Sequence, residues 1–157
     1  MKNSALYIFL SVLSLMFLAC DKNRVFEQNI TVEGGSWAMD NMATFEFEIT
    51  DTLAEYNILI NIRNRNDYPY SNIYLFLQLT APDGKKATDT LNCLLTDEKG
   101  RFLGKSAGNL WDNRIPYKWG VKFPMLGKYK VNYIQAMRHE KLEAITDVGL
   151  RIEKNSK

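Results

Sequence analysis

Apolar and polar residues alternate along most of the chain beyond residue 25, which is the pattern of β-strands with one buried and one solvated face. In the clearest case Phe45, Phe47 and Ile49 alternate with threonines and glutamates, and isoleucines at every second position of 58–62 repeat the pattern. We therefore predict a strand in each segment, with its apolar side chains pointing inward.

The segment 73–79 is apolar on both of its faces. Ile73 and three leucines fill the odd positions, and Tyr74 and Phe76 stand between them. A strand that is covered on both faces has a near-continuous apolar run of this kind. This strand is therefore predicted to lie in the middle of a sheet, with both faces covered.

Shorter alternating segments predict five further strands, at 26–32, 87–95, 118–123, 129–136 and 148–152. Turn-forming residues separate the strands, as in Asn66–Pro69, Pro82–Gly84 and Asp97–Gly100. No segment keeps a period of 3.6 residues, and the nearest to it, 137–144, predicts at most one helical turn before the last strand.

About eight short strands at this spacing predict an all-β fold, an antiparallel β-sandwich with Greek-key or jelly-roll-like connections. A small barrel is the alternative architecture. The predicted folded part, residues 25–157, has the size of one ordinary domain and is long enough to bury its own core.

The first residues have the organisation of an exported lipoprotein. A basic start at Lys2 precedes the apolar run Ala5–Ala19, and Cys20 follows the small residue that ends this run. This is the order of a secretory leader with a small residue before its cleavage site. The run is shorter than the roughly 18–20 residues that a spanning helix needs. We therefore predict a lipoprotein signal peptide at residues 1–19.

Cleavage before Cys20 would leave that cysteine at the N-terminus for acylation, and lipid would then hold the protein on a membrane. Residues 20–24 are predicted to be the acylated cysteine and a short tether. The folded domain should therefore lie close to the membrane, in the cell envelope.

The charges are nearly balanced and scattered along the chain, with 20 Lys and Arg residues against 18 Asp and Glu residues. Nothing in this distribution points to a nucleic-acid partner. Once Cys20 is lipidated, Cys93 is the remaining cysteine, so no intrachain disulfide is expected. Cys93 alternates with Leu91 and Leu95, which predicts a small buried core residue and not a nucleophile.

One motif imitates a catalytic site. Gly104–Gly108 matches the G-x-S-x-G nucleophile elbow around Ser106, and Asp112 and His139 follow in the order of an α/β-hydrolase triad. That elbow needs a helix after the serine, whereas here the chain leads into Pro116. We interpret the segment as a glycine-rich bend between strands and predict that the protein is not an enzyme.

No metal site and no cofactor are expected. His139 is the only histidine, and it stands in a polar stretch that is typical of a solvated turn. No acidic run has the spacing of a calcium loop, and no motif singles out a pair of carboxylates. A small-molecule substrate is therefore not expected either.

Aromatic residues in predicted connections form the candidate interaction surface. Trp111, Tyr117 and Trp119 lie in or near such connections. Exposed rings at the end of a β-sandwich could stack on a sugar or dock a partner. The alternative is that these rings plug the ends of the sandwich.

Several segments in the second half of the chain resemble, in order, a known family. They are Asp89–Cys93, Asp97–Lys105, Leu110–Asp112, Gln135–Arg138 and Asp147–Ile152. Together with the leader and the overall length, they resemble the gliding-motility lipoproteins of the GldH family of the Bacteroidota. The segment 25–82 matches mainly by pattern.

This resemblance implies a non-enzymatic envelope lipoprotein that serves the gliding machinery, which is linked to type IX secretion. The implied partners are other gliding or type IX secretion envelope proteins, and the family's acylated cysteine corresponds to Cys20. Asp21–Arg24 lacks an acidic cluster resembling the surface-export signal of this phylum's lipoproteins, so a periplasm-facing position is expected. The alternative function is a carbohydrate-binding envelope lipoprotein with an aromatic binding face.

Overall fold

The computed structural model describes residues 21–155, and their regular structure consists of β-strands and one short 3₁₀ turn. In chain order the strands are β1 Arg24–Thr31, β2 Ser36–Ala38, β3 Ala43–Ile49, β4 Tyr56–Arg65, β5 Asn72–Thr80, β6 Lys86–Leu94, β7 Lys105–Ala107, β8 Leu110–Val121, β9 Gly127–Gln135, β10 Lys141–Glu143 and β11 Ile145–Lys154. The 3₁₀ turn, Glu33–Gly35, precedes β2. The predicted signal peptide and Cys20 lie outside the described residues.

The strands form two main antiparallel sheets and a small pair. The five-stranded sheet has the order β1-β11-β4-β8-β7, and the four-stranded sheet has the order β3-β9-β5-β6. β2 pairs with β10. The sheets are packed face to face and are not closed into a barrel, so the predicted antiparallel β-sandwich is confirmed.

Eight of these strands are seven residues or longer, and they overlap the eight segments that alternation predicts. The remaining three, β2, β7 and β10, have three residues each. Three residues are too few to show a period of two, which explains why the sequence did not indicate them.

The inward side chains of both sheets form one core. Phe45, Phe47 and Ile49 of β3 are all buried, as alternation predicts. Phe47 stacks on Tyr129 of β9, with the ring centroids 5.7 Å apart. The largest fully buried side chains are Trp37, Tyr56, Tyr129, Tyr133, Phe45, Ile49, Ile60, Ile62, Ile73, Leu75, Leu95 and Leu142. Their contacts supply the hydrophobic stabilisation of the sandwich.

β5 lies between β9 and β6, so its predicted position in the middle of a sheet is confirmed. The prediction that both of its faces are covered is wrong. Tyr74 and Phe76 are 42% and 43% exposed, because no described element packs on the outer face of the four-stranded sheet. Only the inward residues of β5, such as Leu75, are enclosed between the sheets.

Two further expectations need correction. The segment 137–144 forms a bend followed by β10 and contains no helical turn, because Leu142 is drawn into the core opposite Trp37 of β2. β8 begins at Leu110, well before the predicted start at 118. Its first half carries polar inward and outward residues, including the buried Asn113, and these hide the alternation.

Candidate functional site

Cys20, the predicted lipidation site, immediately precedes the described residues. Asp21 is exposed, and its carboxylate forms an ion pair with Arg151 of β11. β1 begins at Arg24, four residues after Cys20. A lipid on Cys20 would therefore hold the β1 edge of the five-stranded sheet beside the membrane surface.

Trp111 is half-buried near the start of β8. Its ring stacks on Phe102 with the centroids 5.1 Å apart, and its indole N–H donates a hydrogen bond to the side-chain oxygen of Asn66. The two contacts fix the ring against the β6–β7 connection, which contains Phe102, and the β4–β5 connection, which contains Asn66. Trp111 therefore closes one end of the sandwich.

Tyr117 and Trp119 lie in the second half of β8 and have different surroundings. Tyr117 is half-buried between the sheets, and its hydroxyl donates a 2.8 Å hydrogen bond to Asp89 of β6. Trp119 is 60% exposed. The pairing of β8 with β4 shifts register on either side of Ile58, and such bulges turn successive side chains out of strict alternation.

The three predicted rings therefore do not form one exposed platform. Trp111 and Trp119 are eight positions apart on one strand, which is roughly 25 Å in extended chain. Of the three, Trp119 alone is largely exposed. In the predicted interaction surface, Trp111 thus closes one end of the sandwich, Tyr117 contacts the other sheet, and Trp119 is an exposed ring.

The residues that imitate a hydrolase triad each have another contact. Ser106 is exposed on β7, opposite Trp111, and not on a bend as the sequence suggested. Asp112 forms an ion pair with Arg63, and the ring nitrogen Nε2 of His139 lies 2.7 Å from the Tyr70 hydroxyl. After β7 the chain turns and enters β8, so the elbow lacks its helix.

Cys93 is fully buried on the inner face of β6, which confirms its assignment as a core residue. Burial raises the pKa of its thiol to about 12. The thiolate is the nucleophilic form of cysteine, and this thiol is both protonated at neutral pH and enclosed. His139 is exposed, as predicted for a turn residue.

Within residues 21–155, no group of three or more His, Cys, Asp or Glu side chains is placed to hold a metal ion. The same part of the chain contains no helix that is long and apolar enough to span a bilayer.

A network of charged side chains covers the outer face of the five-stranded sheet. Its centre is Arg151, whose side chain is 5% exposed and donates to the carboxylates of Asp21, Glu27 and Glu153. Arg114 of β8 also donates to Glu27 of β1, at 3.0 Å. We call these five residues the arginine network. It links the first and fourth strands of the sheet through side chains alone.

Contacts within the arginine network shift the pKa values of Glu27, Asp21 and Arg151. Burial disfavours the charged form of Glu27, but hydrogen bonds from Arg151 and Asn61 outweigh burial and lower its pKa. The hydrogen bond from Arg151 likewise lowers the pKa of Asp21. Burial also disfavours the charged form of Arg151, and the three carboxylates more than compensate, so its pKa is raised. Asp21, Glu27 and Arg151 are therefore all charged at neutral pH.

A polar cleft of about 450 Å³ adjoins the network. There Arg63 pairs with Asp112 and lies 3.5 Å from Asp147, which also accepts a 3.0 Å hydrogen bond from Thr31. Positive and negative side chains alternate across this surface. The charged side chains that line the cleft, apart from the exposed Lys105, are paired with one another.

The outer face of the four-stranded sheet carries exposed apolar side chains near its middle, among polar and charged ones such as Glu46 and Lys130. Tyr74 and Phe76 of β5 are exposed, and Phe76 lies opposite the half-buried Ile134 of β9. We call these three residues the aromatic patch. Thr90 and Asn92 of β6 border it on the side of the sheet edge.

Local contacts fix the position of the aromatic patch. Asn72 donates a 2.6 Å hydrogen bond to Asn92, and the backbone N–H of Tyr74 points to the Met137 sulfur at 3.3 Å. Exposed aromatic side chains with a polar border are typical of surfaces that bind other proteins.

Sequence reasoning missed the aromatic patch because it took β5 to be covered on both faces. One signal could have indicated it. The outward residues beside β5 on its neighbours include Thr90, Asn92 and Asn132, all of which are polar. A covered outer face would have carried apolar residues on the neighbouring strands as well.

The fold places the chain among antiparallel β-sandwich proteins, and a sequence profile described as "GldH lipoprotein" matches residues 24–152. That range includes nearly the whole described domain. The chain belongs to the GldH lipoprotein family.

Two relatives are similar over almost their full lengths. One, from Christiangramia forsetii, is named "Gliding motility lipoprotein GldH homolog" and is 39% identical, with 97% of this chain and 98% of that protein covered. The other, from Flavobacterium johnsoniae, is named "Gliding motility lipoprotein GldH" and is 36% identical, with 97% and 96% covered. The resemblance inferred from sequence motifs is thereby confirmed.

Among solved structures, a family GH115 4-O-methyl-α-glucuronidase aligns with 87% of this chain and 18% of its own. The TM-score is 0.45 and the sequence identity is 9%. A likeness at this level carries no functional argument.

Proposed function

We propose that the protein is a non-enzymatic, membrane-anchored component of the gliding-motility machinery linked to type IX secretion. The observation that carries this proposal is family membership over residues 24–152, together with two relatives that are named for gliding motility. Its partners are other envelope proteins of that machinery. The protein acts by binding them at the membrane surface.

The anchor is a lipid on Cys20, formed after removal of residues 1–19. The start of β1 at Arg24 supports this, because a tether of a few residues keeps the domain within reach of the membrane. The domain faces the periplasm, since Asp21–Arg24 contains one acidic and two basic residues and no acidic cluster.

Replacing the anchor residue tests this part of the proposal. Cys20→Ala should leave the fold intact and release the protein from the membrane fraction. Cys93→Ala is the matched control, since it removes the other thiol and should leave the protein with the membranes. A Cys20→Ala protein that still sediments with membranes would contradict a lipid anchor.

The aromatic patch is the surface at which we expect a partner to bind. Tyr74 and Phe76 are large rings on the outer face of the sheet. Their exposure to water is unfavourable, and covering them would be favourable. Rings of this kind contribute strongly to protein–protein affinity when a partner covers them. Trp119 offers a second, smaller surface on the other sheet.

The decisive experiment is a crosslinking pull-down of the anchored protein from its native cells, with co-purified proteins identified by mass spectrometry. Gliding or type IX secretion components should be recovered with the unmodified protein. The double variant Tyr74→Ser and Phe76→Ser should lose them, whereas Trp119→Ser should retain them. Loss in the Trp119 variant alone would move the docking surface to β8.

The alternative function, a carbohydrate-binding lipoprotein, receives less support. It was predicted to use Trp111, Tyr117 and Trp119 as one aromatic face, and these rings are separated along β8. Recovery of glycan-processing or uptake proteins in the pull-down, without gliding components, would favour the alternative.

A further inference from the structure

An apolar cleft enters the sandwich between β6 and β8, where the two sheets separate at one edge. Its volume is about 360 Å³, and apolar side chains from both sheets form most of its wall. These are Phe47, Ile58, Leu77, Leu79, Val121, Phe123, Val131 and Leu150. We call this space the inter-sheet cleft. Sites for small ligands have this size and this mainly apolar lining, with a few polar groups placed among it.

One residue of the cleft wall has a buried hydroxyl without a partner. Tyr133 lines the cleft and is 0% exposed, and its hydroxyl makes no hydrogen bond. Its ring is held against Phe45, with the centroids 4.9 Å apart. A buried hydroxyl without a hydrogen-bond partner destabilises the folded protein. A ligand in the cleft that reached this oxygen would supply the missing hydrogen bond.

The mouth of the inter-sheet cleft carries charges. Tyr117 of β8 donates to Asp89 of β6, so a single 2.8 Å hydrogen bond joins the two sheets across the opening. Lys118 lies 3.7 Å from the same carboxylate, and Lys122 is exposed beside it in the cleft wall. Two ammonium groups against one carboxylate leave the mouth positive. A ligand with an apolar body and an anionic end fits this arrangement.

We propose that the inter-sheet cleft binds a single acyl chain, with its anionic headgroup beside Lys118 and Lys122. A cavity of about 150 Å³ holds the six carbons of benzene, so 360 Å³ gives room for a chain of roughly a dozen carbons. The hydroxyl of Tyr133 donates to an oxygen of the headgroup or of its ester linkage. The ligand is bound and not converted, and this inference does not depend on the proposed function.

The same chemistry has two sources, a free fatty acid and a membrane phospholipid. Full-length protein purified from its membranes in a sterol-based detergent is first extracted with organic solvent, and the extract is analysed by mass spectrometry. A fatty acid in the extract identifies the free source, and a phospholipid at one per chain identifies the membrane source.

Binding is then measured by titrating the protein with dodecanoate in a calorimeter. We expect one dodecanoate per chain. Leu77→Trp fills the cleft and should weaken binding at least tenfold, whereas Leu126→Trp, at an exposed position outside the cleft, should leave it unchanged.

Tyr133→Phe removes the unpaired hydroxyl with little change of shape, so it tests the cleft even if Leu77→Trp fails to fold. It should weaken dodecanoate binding about three- to tenfold. It should also raise the unfolding temperature of the ligand-free protein, because a buried group without a partner is removed. Absence of dodecanoate binding to the unmodified protein, or equal binding by Tyr133→Phe, would overturn the proposal.

Discussion

The two outer faces of the sandwich differ in the side chains at their centres, which are paired charges on one face and exposed aromatic rings on the other. On the five-stranded sheet, Arg151 joins three carboxylates in the arginine network, and Arg114 extends it across the strands. On the four-stranded sheet, Tyr74 and Phe76 lie uncovered at the middle of the face. The charged side chains of the first face are already paired with one another, whereas the rings of the second face are exposed and can contact a partner.

This difference indicates how the domain is arranged relative to a partner. Charges that are already paired and partly buried gain little from a further protein, because they must first lose their present contacts. Exposed rings gain contact area and lose water when they are covered. We therefore expect the arginine network to stabilise the fold and the aromatic patch to bind.

The largest effect should come from Arg151→Ala. The change leaves the largely buried Glu27, and also Glu153 and Asp21, without their common partner Arg151, and breaking a buried ion pair in this way costs about 3–5 kcal/mol. Urea unfolding measures the loss.

Arg101→Ala provides the control for that prediction. Arg101 forms an exposed ion pair with Asp97, and exposed pairs contribute about 1 kcal/mol or less. If both variants lost the same small amount of unfolding free energy, the arginine network would contribute no more than an ordinary surface ion pair. The contrast between the two faces would then be wrong.

A second large effect should come from Gly149→Ala beneath the same network. A methyl group there would lie 1.9 Å from the Asn29 side-chain oxygen and 2.8 Å from the Gln28 carbonyl oxygen. The Asn29 side chain would have to leave its hydrogen bond with Asn61, at a total cost of about 1–3 kcal/mol. Thermal unfolding of Gly149→Ala, Asn29→Ala and the double variant should show partial recovery in the double variant. Strict additivity would mean that the two groups do not interfere.

Lowering the pH should have a smaller effect on the free energy of unfolding. Because the pKa of Glu27 is lowered in the folded protein, its ionised form adds stability above the ordinary value near 4.5. That contribution is lost as pH falls through the lowered folded pKa.

The measurement is the free energy of unfolding between pH 7 and pH 3. The unmodified protein should lose more stability than Glu27→Gln, so that the two curves converge in acid. Glu48→Gln, at an exposed position on the opposite sheet, should run parallel to the unmodified protein. Parallel curves for Glu27→Gln would show that this carboxylate does not support the network.

The smallest effect should come from the aromatic patch. Phe76→Thr should change stability by no more than about 1 kcal/mol, because the ring is exposed on a strand surface that threonine also suits. Leu75→Ala, one residue away on the inner face, should cost about 2–5 kcal/mol. A cost above 2 kcal/mol for Phe76→Thr would show that something covers this face in the folded protein.

Much of the fold was predictable because alternation is a local property of the chain. The buried faces of β3 and β4, the central position of β5 and the burial of Cys93 all follow from apolar residues at every second position. The turn at Gly100 was predictable too, since its positive φ of 76° suits glycine. The surroundings of Trp111, Tyr117 and Trp119 could not be predicted in this way, because they depend on long-range contacts with Asn66 and Asp89 and, for the second half of β8, on its bulges.

The sequence by itself determined the approximate positions of the eight longer strands, which of their faces turn inward, and to which family the chain belongs. The tertiary structure alone decided that Arg151 meets Asp21 and Glu27, residues more than 120 positions away. It also decided that Tyr74 and Phe76 are exposed and that Tyr133, whose buried hydroxyl has no partner, lines an apolar cleft. The physical reason is that a period of two assigns each side chain to one face of its strand, whereas the packing of distant strands determines what covers that face.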